Sequence, residues 1–374
     1  MINYSNNDVI VAPDGKWLNY GIVPIRYKII CTSSGHGSIS AIPSRGITGS
    51  SSVLSNNPDY GYKLDSYTLI SGTGASLDGN IVTIGTSDVT VRGDFVDKYN
   101  PLDLPQNTIR VVTNDGNPPA KDEYTSYETA TLVAGTDNVY DVYKSGDSMG
   151  WVLRGAYNVT AVLGANISGV TNTHGMFYEC THLQDVPSMD TSSVTIAHHM
   201  FYKCIRLREI PELDTHNMRE MDGMFWDCQV ITLIPELDTS SCVNMNSMMS
   251  GCNSLVEVSL TDTSNVTGMN YMFNECYSLP EIPEINTSNV IIMNYTFSEC
   301  HSITKVPLLD TSKVVDFNYA FSNCYNVESG AYDLYYQASH QMNVPTTHHG
   351  TFNNCGSNTT SGAAELAQIP SGWK

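Results

Sequence analysis

Basic side chains are scarce in this sequence. Lys and Arg number 18 against 38 Asp and Glu, which gives a formal charge of −20, and charged residues of both signs make up only 15% of the chain. A surface that acidic repels phosphodiesters and anionic headgroups, so nucleic acid and anionic membrane are excluded as partners. Long apolar runs are missing too. None approaches the ~18 residues of a membrane-spanning helix, and no membrane insertion is expected. The stretch from Met1 to Asp8 has neither a basic start nor the ~7–15-residue apolar core of a secretory leader. The end, Ile369 to Lys374, has no anchor or sorting tail. Motifs that carry chemistry are equally absent: no Gly-rich phosphate loop, G-x-S-x-G elbow or H-E-x-x-H string, and no C-x₂₋₄-C pair of the zinc type. These absences predict no enzyme activity, no cofactor and no metal site.

What the sequence does have is a period. Cys180, Cys204, Cys228, Cys252, Cys276, Cys300 and Cys324 follow one another at intervals of 24 residues. Three residues before each stands Phe177, Phe201, Phe225, Met249, Phe273, Phe297 or Phe321, and three residues after it Leu183, Leu207, Ile231, Leu255, Leu279, Ile303 or Val327. Then come a Val/Ile-Pro pair, as in Ile210-Pro211, and a turn-like Asp-Thr-Ser, as at Asp190, Asp238, Asp262 and Asp310. A unit this short has one apolar edge and cannot bury it alone; stacking copies in register joins the edges into a continuous core.

The string D-T-S-x-V-x-x-M-x-x-M-F-x-x-C resembles the repeat of the BspA-like leucine-rich-repeat family of bacterial and phage surface proteins, over roughly Asn166 to Cys355. The resemblance implies a right-handed solenoid of 24-residue coils with a parallel β-sheet, in an adhesin-like protein. Ahead of it, short alternating runs separated by Gly, Asn, Asp and Pro predict a small antiparallel β-domain. These runs are Tyr27–Cys31, Ser38–Ile42, Ser52–Leu54, Lys63–Tyr67, Asn80–Ile84 and Val89–Phe95. That segment resembles the internalin-type B-repeat, with Gly61-Tyr62 leading to Asp65 and Tyr67, a module that serves as a spacer in stalks. The fold class expected is therefore multidomain and mainly β. Its parts are an extended attachment arm (1–24), the β-domain (25–99), a linker and β-rich solenoid cap (100–165), the solenoid (166–355) and a C-terminal cap (356–374). Within the longer interval from Cys324 to Cys355, Gly330 to Ala338 predicts a short helix, and Gly362 to Gln368 a closing turn.

Column by column, the repeat reads mostly as structure. Stacked coils sit about 4.7–4.9 Å apart, inside the ~4.4–6.8 Å Cα range of a disulfide. Pairing seven equivalent cysteines would nevertheless leave one over and break their equivalence, so buried thiols are expected. The Asp-Thr-Ser column predicts turns closed by side-chain oxygens. His174 and His198 should stack, with His199 and His182 nearby in sequence, and are read as solvated surface. Recognition is expected where the coils differ: Tyr178, Tyr202 and Trp226 form an aromatic strip in three successive coils, beside a surface column of Glu212, Glu236 and Glu284. Aromatic rings offer large contact area at low entropic cost.

Together these readings predict a non-enzymatic surface binding protein. A surface-type repeat without a visible leader fits a phage virion, whose proteins are assembled in the host cytoplasm. The expected partners are other virion proteins through the arm and a host-surface glycan or protein through the solenoid, with a homotrimer by analogy with such appendages. A bacterial cell-surface adhesin and a passive capsid decoration are the alternatives.

Overall fold

The computed structural model describes residues 27–33, 37–42, 44–58, 62–97 and 104–374. The arm expected over residues 1–24 lies outside them. The chain divides into two units, Met1–Lys98 and Tyr99–Lys374.

The first unit contains β1 (Tyr27–Ser33), β2 (Gly37–Ile42), β3 (Arg45–Gly46), β4 (Ser51–Pro58), β5 (Tyr62–Ser71), β6 (Ser76–Asp78), β7 (Ile81–Thr83) and β8 (Val89–Asp97). They form two four-stranded sheets, in the orders β3-β1-β8-β5 and β2-β4-β7-β6. Ile29, Ala41, Leu54, Val82, Ile84, Val89 and Val91 make its core. Alternation along each run supplies these side chains, as in β8, where Val89 and Val91 are buried and Arg92 is exposed. One pair departs from the expected antiparallel domain: β1 and β8 run parallel. They are the first and last strands of the unit, with β2 to β7 between them, so no tight turn constrains their direction.

The second unit opens with β9 (Thr108–Thr113), β10 (Thr129–Leu132), β11 (Val139–Tyr143) and β12 (Val159–Asn166), an antiparallel sheet in the order β10-β11-β9-β12. Arg110 Nε and one of its terminal nitrogens grip the Asp141 carboxylate at 2.6 and 2.8 Å across β9 and β11. The free side of β12 passes the ladder on: Ala161 bridges Asp185 in parallel, and the Val162 N–H donates to Asp185 O at 2.9 Å.

From there the chain pairs with itself at its own period. Parallel bridges join Ser148 to Asn172, Asn172 to Ile196, Ile196 to Glu220, Glu220 to Asn244, Asn244 to Gly268, Gly268 to Ile292 and Ile292 to Asp316. The insertion that follows is absorbed, and Asp316 bridges Thr347. The ladder thus starts at Ser148, ahead of the Asn166 start expected from the cysteines, because Ala156 fills the cysteine position of the first coil and Leu153 the phenylalanine position.

A two-residue alternation accounts for the backbone of each coil. Gly175, Phe177 and Glu179 donate their N–H groups to His198, Met200 and Tyr202 O in the next coil at 3.0, 2.9 and 2.7 Å. The residues between them, Met176, Tyr178 and Cys180, donate three positions back within their own coil. Every polar backbone group of the segment is thereby paired. The turns require a left-handed residue at the fifth and first positions before each cysteine. His199 and Lys203 occupy them at φ 57° and 56°, and Gly175 and Glu179 at 57° and 58°. These turns interrupt strand formation, so the expected parallel sheet is reduced to single bridges. Between the coils, only β13 (Leu233–Leu237) and β14 (Glu257–Leu260) extend into a parallel strand pair among the described residues. The described chain is mainly β, in several small sheets, with no closed barrel.

Inside the coils, like meets like. Phe177, Phe201 and Phe225 stack face to face with ring centroids 5.3 and 5.9 Å apart. Met249 interrupts the column, and Phe273, Phe297, Phe321 and Phe352 resume it at 5.5, 5.1 and 5.8 Å. All are fully buried. The cysteine column is buried as free thiols. Each thiol donates to the carbonyl at the phenylalanine position of the preceding coil, as Cys204 Sγ does to Phe177 O at 3.2 Å and Cys228 Sγ to Phe201 O at 3.2 Å. Burial pushes the column well above the ordinary thiol range, so these cysteines are inert polar spacers.

The Asp-Thr-Ser turns close as their chemistry dictates. Asp238 Oδ1 accepts the Ser240 N–H at 3.0 Å, and Asn286 Oδ1 accepts the Ser288 N–H at the same distance. Thr215 Oγ1 donates to Asp238 O in the next coil at 2.9 Å. The far end is closed by α1 (Ala331–His340), α2 (Thr360–Gln368) and Trp373, whose carbonyl accepts the Phe352 N–H at 2.9 Å.

Candidate functional site

The tyrosine–tryptophan strip is assembled as the register requires. Tyr178 and Tyr202 stack at 4.3 Å with nearly parallel rings, and Trp226 meets Tyr202 edge-on at 5.3 Å. All three are half-buried. Burial, and then the neighbouring Tyr202, push the Tyr178 phenol up to about 12, so it stays a neutral donor at any physiological pH.

The strip is wider than its sequence column. Trp151, in the coil that lacks a cysteine, meets Tyr178 edge-on at 5.3 Å and His174 at 4.3 Å. The Arg154 guanidinium pairs with Asp122 and lies 4.5, 5.5 and 5.2 Å from the rings of Tyr124, Trp151 and Tyr178. His174 and His198 stack as expected, with centroids 3.6 Å apart. They are half-buried instead of solvated, and His199 joins them, 6.0 Å from His174 and 5.5 Å from Tyr202. His198 Nδ1 lies 3.7 Å from Asp222 Oδ1.

Neighbours in a strand point to opposite faces. His199 reaches the same face as His198 because its backbone is left-handed. Its ring then lies across Gly223 of the next coil, where an added Cβ would come within 2.6 Å of His199 Cδ2. Trp151 covers Gly175 and Tyr319 covers Gly350 in the same way, at 2.4 Å each. Where no glycine follows, rings stack along this column, as Tyr271, Tyr295 and Tyr319 do at 4.7 and 4.8 Å.

Glu212, Glu236 and Glu284 are exposed, and their column is broken by Leu260. No contact joins them to the aromatic strip. An open groove of about 880 Å³ lies elsewhere, where Leu308 and Pro307 face Asp333 of α1. The strip is accordingly a surface and not a pocket, suited to an extended ligand or another macromolecule.

Electrostatics make the histidine cluster acid-sensitive. Burial, followed by the neighbouring His198 and His199 charges, pushes His174 down to about 4. Burial also pushes His199 down, against the pull of Asp222. Asp222 is raised by burial, but the nearby His198 and the charges of His198 and His199 bring it below its ordinary value. An unfolded histidine titrates near 6.5. Between about pH 6.5 and 4 the unfolded chain therefore binds a proton that native His174 refuses. Stability is full above that window and falls as pH drops through it. For a half-exposed ring, solvent screening reduces the loss to about 1–2 kcal/mol. Thermal melts from pH 7 to about pH 4.5 should show this slope in wild type and a shallower one in His174→Asn, asparagine being the residue at the equivalent Asn246 and Asn270. Equal slopes would remove His174 as the cause.

A protein-family model, described as "Mycoplasma protein of unknown function, DUF285", matches this chain three times, over residues 147–257, 206–305 and 253–358. The matches jointly span more than half of the chain. The protein belongs to the DUF285 family. The first match begins beside Ser148, where the ladder of 24-residue bridges begins, and the last ends just past Cys355. The DUF285 region thus carries the whole aromatic and histidine strip from Trp151 to Trp226. No curated protein matches the chain. Among the described residues, no helix is long and apolar enough to cross a membrane.

Proposed function

We propose that this chain is a non-enzymatic, surface-exposed binding protein whose DUF285 region forms a leucine-rich-repeat-like, right-handed solenoid of the BspA-like kind and presents the Trp151–Trp226 strip to a ligand. The observation that carries the reading is the run of aromatic rings across four successive coils, held in fixed stacks by the backbone ladder and half open to solvent. Preorganised aromatic area of this kind binds with little loss of side-chain entropy. The ligand class is a glycan or protein of a cell surface, and the −20 charge argues against nucleic acid.

The first β-unit is the spacer, of B-repeat-like character, and residues 1–24 the attachment segment to other virion proteins in a trimeric phage fibre or decoration. The family's description as a Mycoplasma protein favours a second setting, on a bacterial cell surface. Mass spectrometry of density-purified particles and of washed cells from one culture separates the two, since structural abundance is expected in only one fraction.

Binding itself is tested with labelled protein on intact cells. Tyr178→Ala/Tyr202→Ala/Trp226→Ala should lower retention at least about tenfold, as loss of an aromatic hot spot does. Glu212→Ala/Glu236→Ala/Glu284→Ala should leave it near wild type. Full retention by a triple aromatic variant that still melts cooperatively would overturn the reading.

A further inference from the structure

We propose that His174, His198 and His199 form a binding site for a divalent first-row transition metal, zinc foremost, with Asp222 as the accompanying carboxylate. Each histidine offers a ring nitrogen, and these atoms all lie within 4.8 Å of one another. A zinc ion with Zn–N bonds of about 2.0–2.1 Å needs its nitrogens roughly 3.4 Å apart in a tetrahedron. On binding, the imidazole torsions would have to close that difference, including the 3.6 Å stack of His174 on His198.

The donor set decides the class of ion. Imidazole nitrogen with one carboxylate suits zinc, nickel and copper, whereas calcium and magnesium require oxygen ligands. Asp222 approaches His198 Nδ1 at 3.7 Å, near enough to orient the ring from outside the three-histidine cluster. The backbone beneath is fixed by rungs of the ladder: Trp151 N–H to His174 O at 2.8 Å, Gly175 N–H to His198 O at 3.0 Å and His199 N–H to Asp222 O at 2.9 Å. Trp151 and His198 lie against His174 at 4.3 and 3.6 Å, and all three histidines are half-buried, so an arriving ion can still reach them. Two histidines adjacent in sequence serve one site only because His199 is left-handed at φ 57°. An ion held here would lie within the aromatic strip and add a Lewis-acid contact to whatever the strip binds. The site stands on its own geometry and does not rest on the surface-binding reading.

The repeat supplies replacements that its own fold already accepts. His199→Gly places the residue found at Gly175 and Gly223, and His198→Asn the residue found at Asn246 and Asn270. Chelator-stripped full-length protein would be titrated with zinc chloride by calorimetry and with cobalt(II) by its visible ligand-field bands. One ion per chain is expected, with cobalt bands of tetrahedral type. His199→Gly, His198→Asn and Asp222→Asn should each weaken zinc binding by at least about 10- to 100-fold, while His216→Asn, at an exposed histidine outside the cluster, leaves it unchanged. No saturable uptake by wild type, or wild-type affinity in His199→Gly and His198→Asn, would overturn the proposal. Because the readout is the metal itself, cell-binding results neither support nor remove it.

Discussion

Phe201→Ala is expected to destabilise the second unit by about 3–5 kcal/mol, the range for emptying a phenylalanine-sized space in a core that cannot collapse. Phe201 is fully buried between Phe177 at 5.3 Å and Phe225 at 5.9 Å, so two rings lose their stacking partner at once. Neighbouring coils are held in place by backbone bonds such as Phe201 N–H to Met224 O at 2.9 Å, which limits how far they can close the void. Stability in a stacked array is a sum of units and their interfaces. The loss should therefore show as a lower urea midpoint and as faster hydrogen exchange in the coils on either side. A loss below about 1 kcal/mol would mean that the stack repacks freely and that the ring column is not what holds it.

Gly330→Ala should be nearly as costly, for a different reason. Gly330 sits at φ 92° where the last regular coil gives way to α1, and an added Cβ would come within 2.0 Å of Val306 O. That obstacle is backbone, and the rung it belongs to cannot yield, because Val306 N–H donates to Ser329 O at 3.0 Å. Left-handed strain of about 1–3 kcal/mol is compounded by overpacking of similar size, so a total of about 3 kcal/mol or more is expected. The readout is local. Ala331, Leu334 and Ala338 are the buried face of α1, and their amides should lose exchange protection before the rest of the stack does. Gly135→Ala is the control: φ there is 78°, but nothing lies within 4 Å, so only the strain remains and the loss should be about 1 kcal/mol. Equal effects at the two glycines would show that close approach at Val306 carries no weight.

Much of the architecture follows from the sequence. Residues 24 apart meet their own copies, so a column of Phe, Met, Leu or Cys in the sequence becomes a column in the core by repetition alone. The same reasoning places Tyr178, Tyr202 and Trp226 side by side, stacks His174 on His198 and reads Asn286 as a turn residue equivalent to Asp238. In the first unit, alternation suffices for the strands, as at Val89 and Val91. The first coil was harder to see: with Ala156 in place of cysteine and Leu153 in place of phenylalanine, the cysteine period gives no reason to add Trp151 to the strip.

Only the tertiary structure decided three further features. It decided that β1 and β8 run parallel, since strand direction across a long crossover depends on what covers the sheet and not on either strand's residues. It decided that the coils touch through single bridges, because left-handed residues such as His199 and Lys203 break each strand after one pair, and a histidine or lysine at such a position carries no sign of it in the sequence. It decided that His199 stands beside His174 and His198. Sequence period fixes which residues are neighbours along a column, but which columns share a face depends on backbone dihedrals, and in this chain those are set by the ladder of hydrogen bonds between one coil and the next.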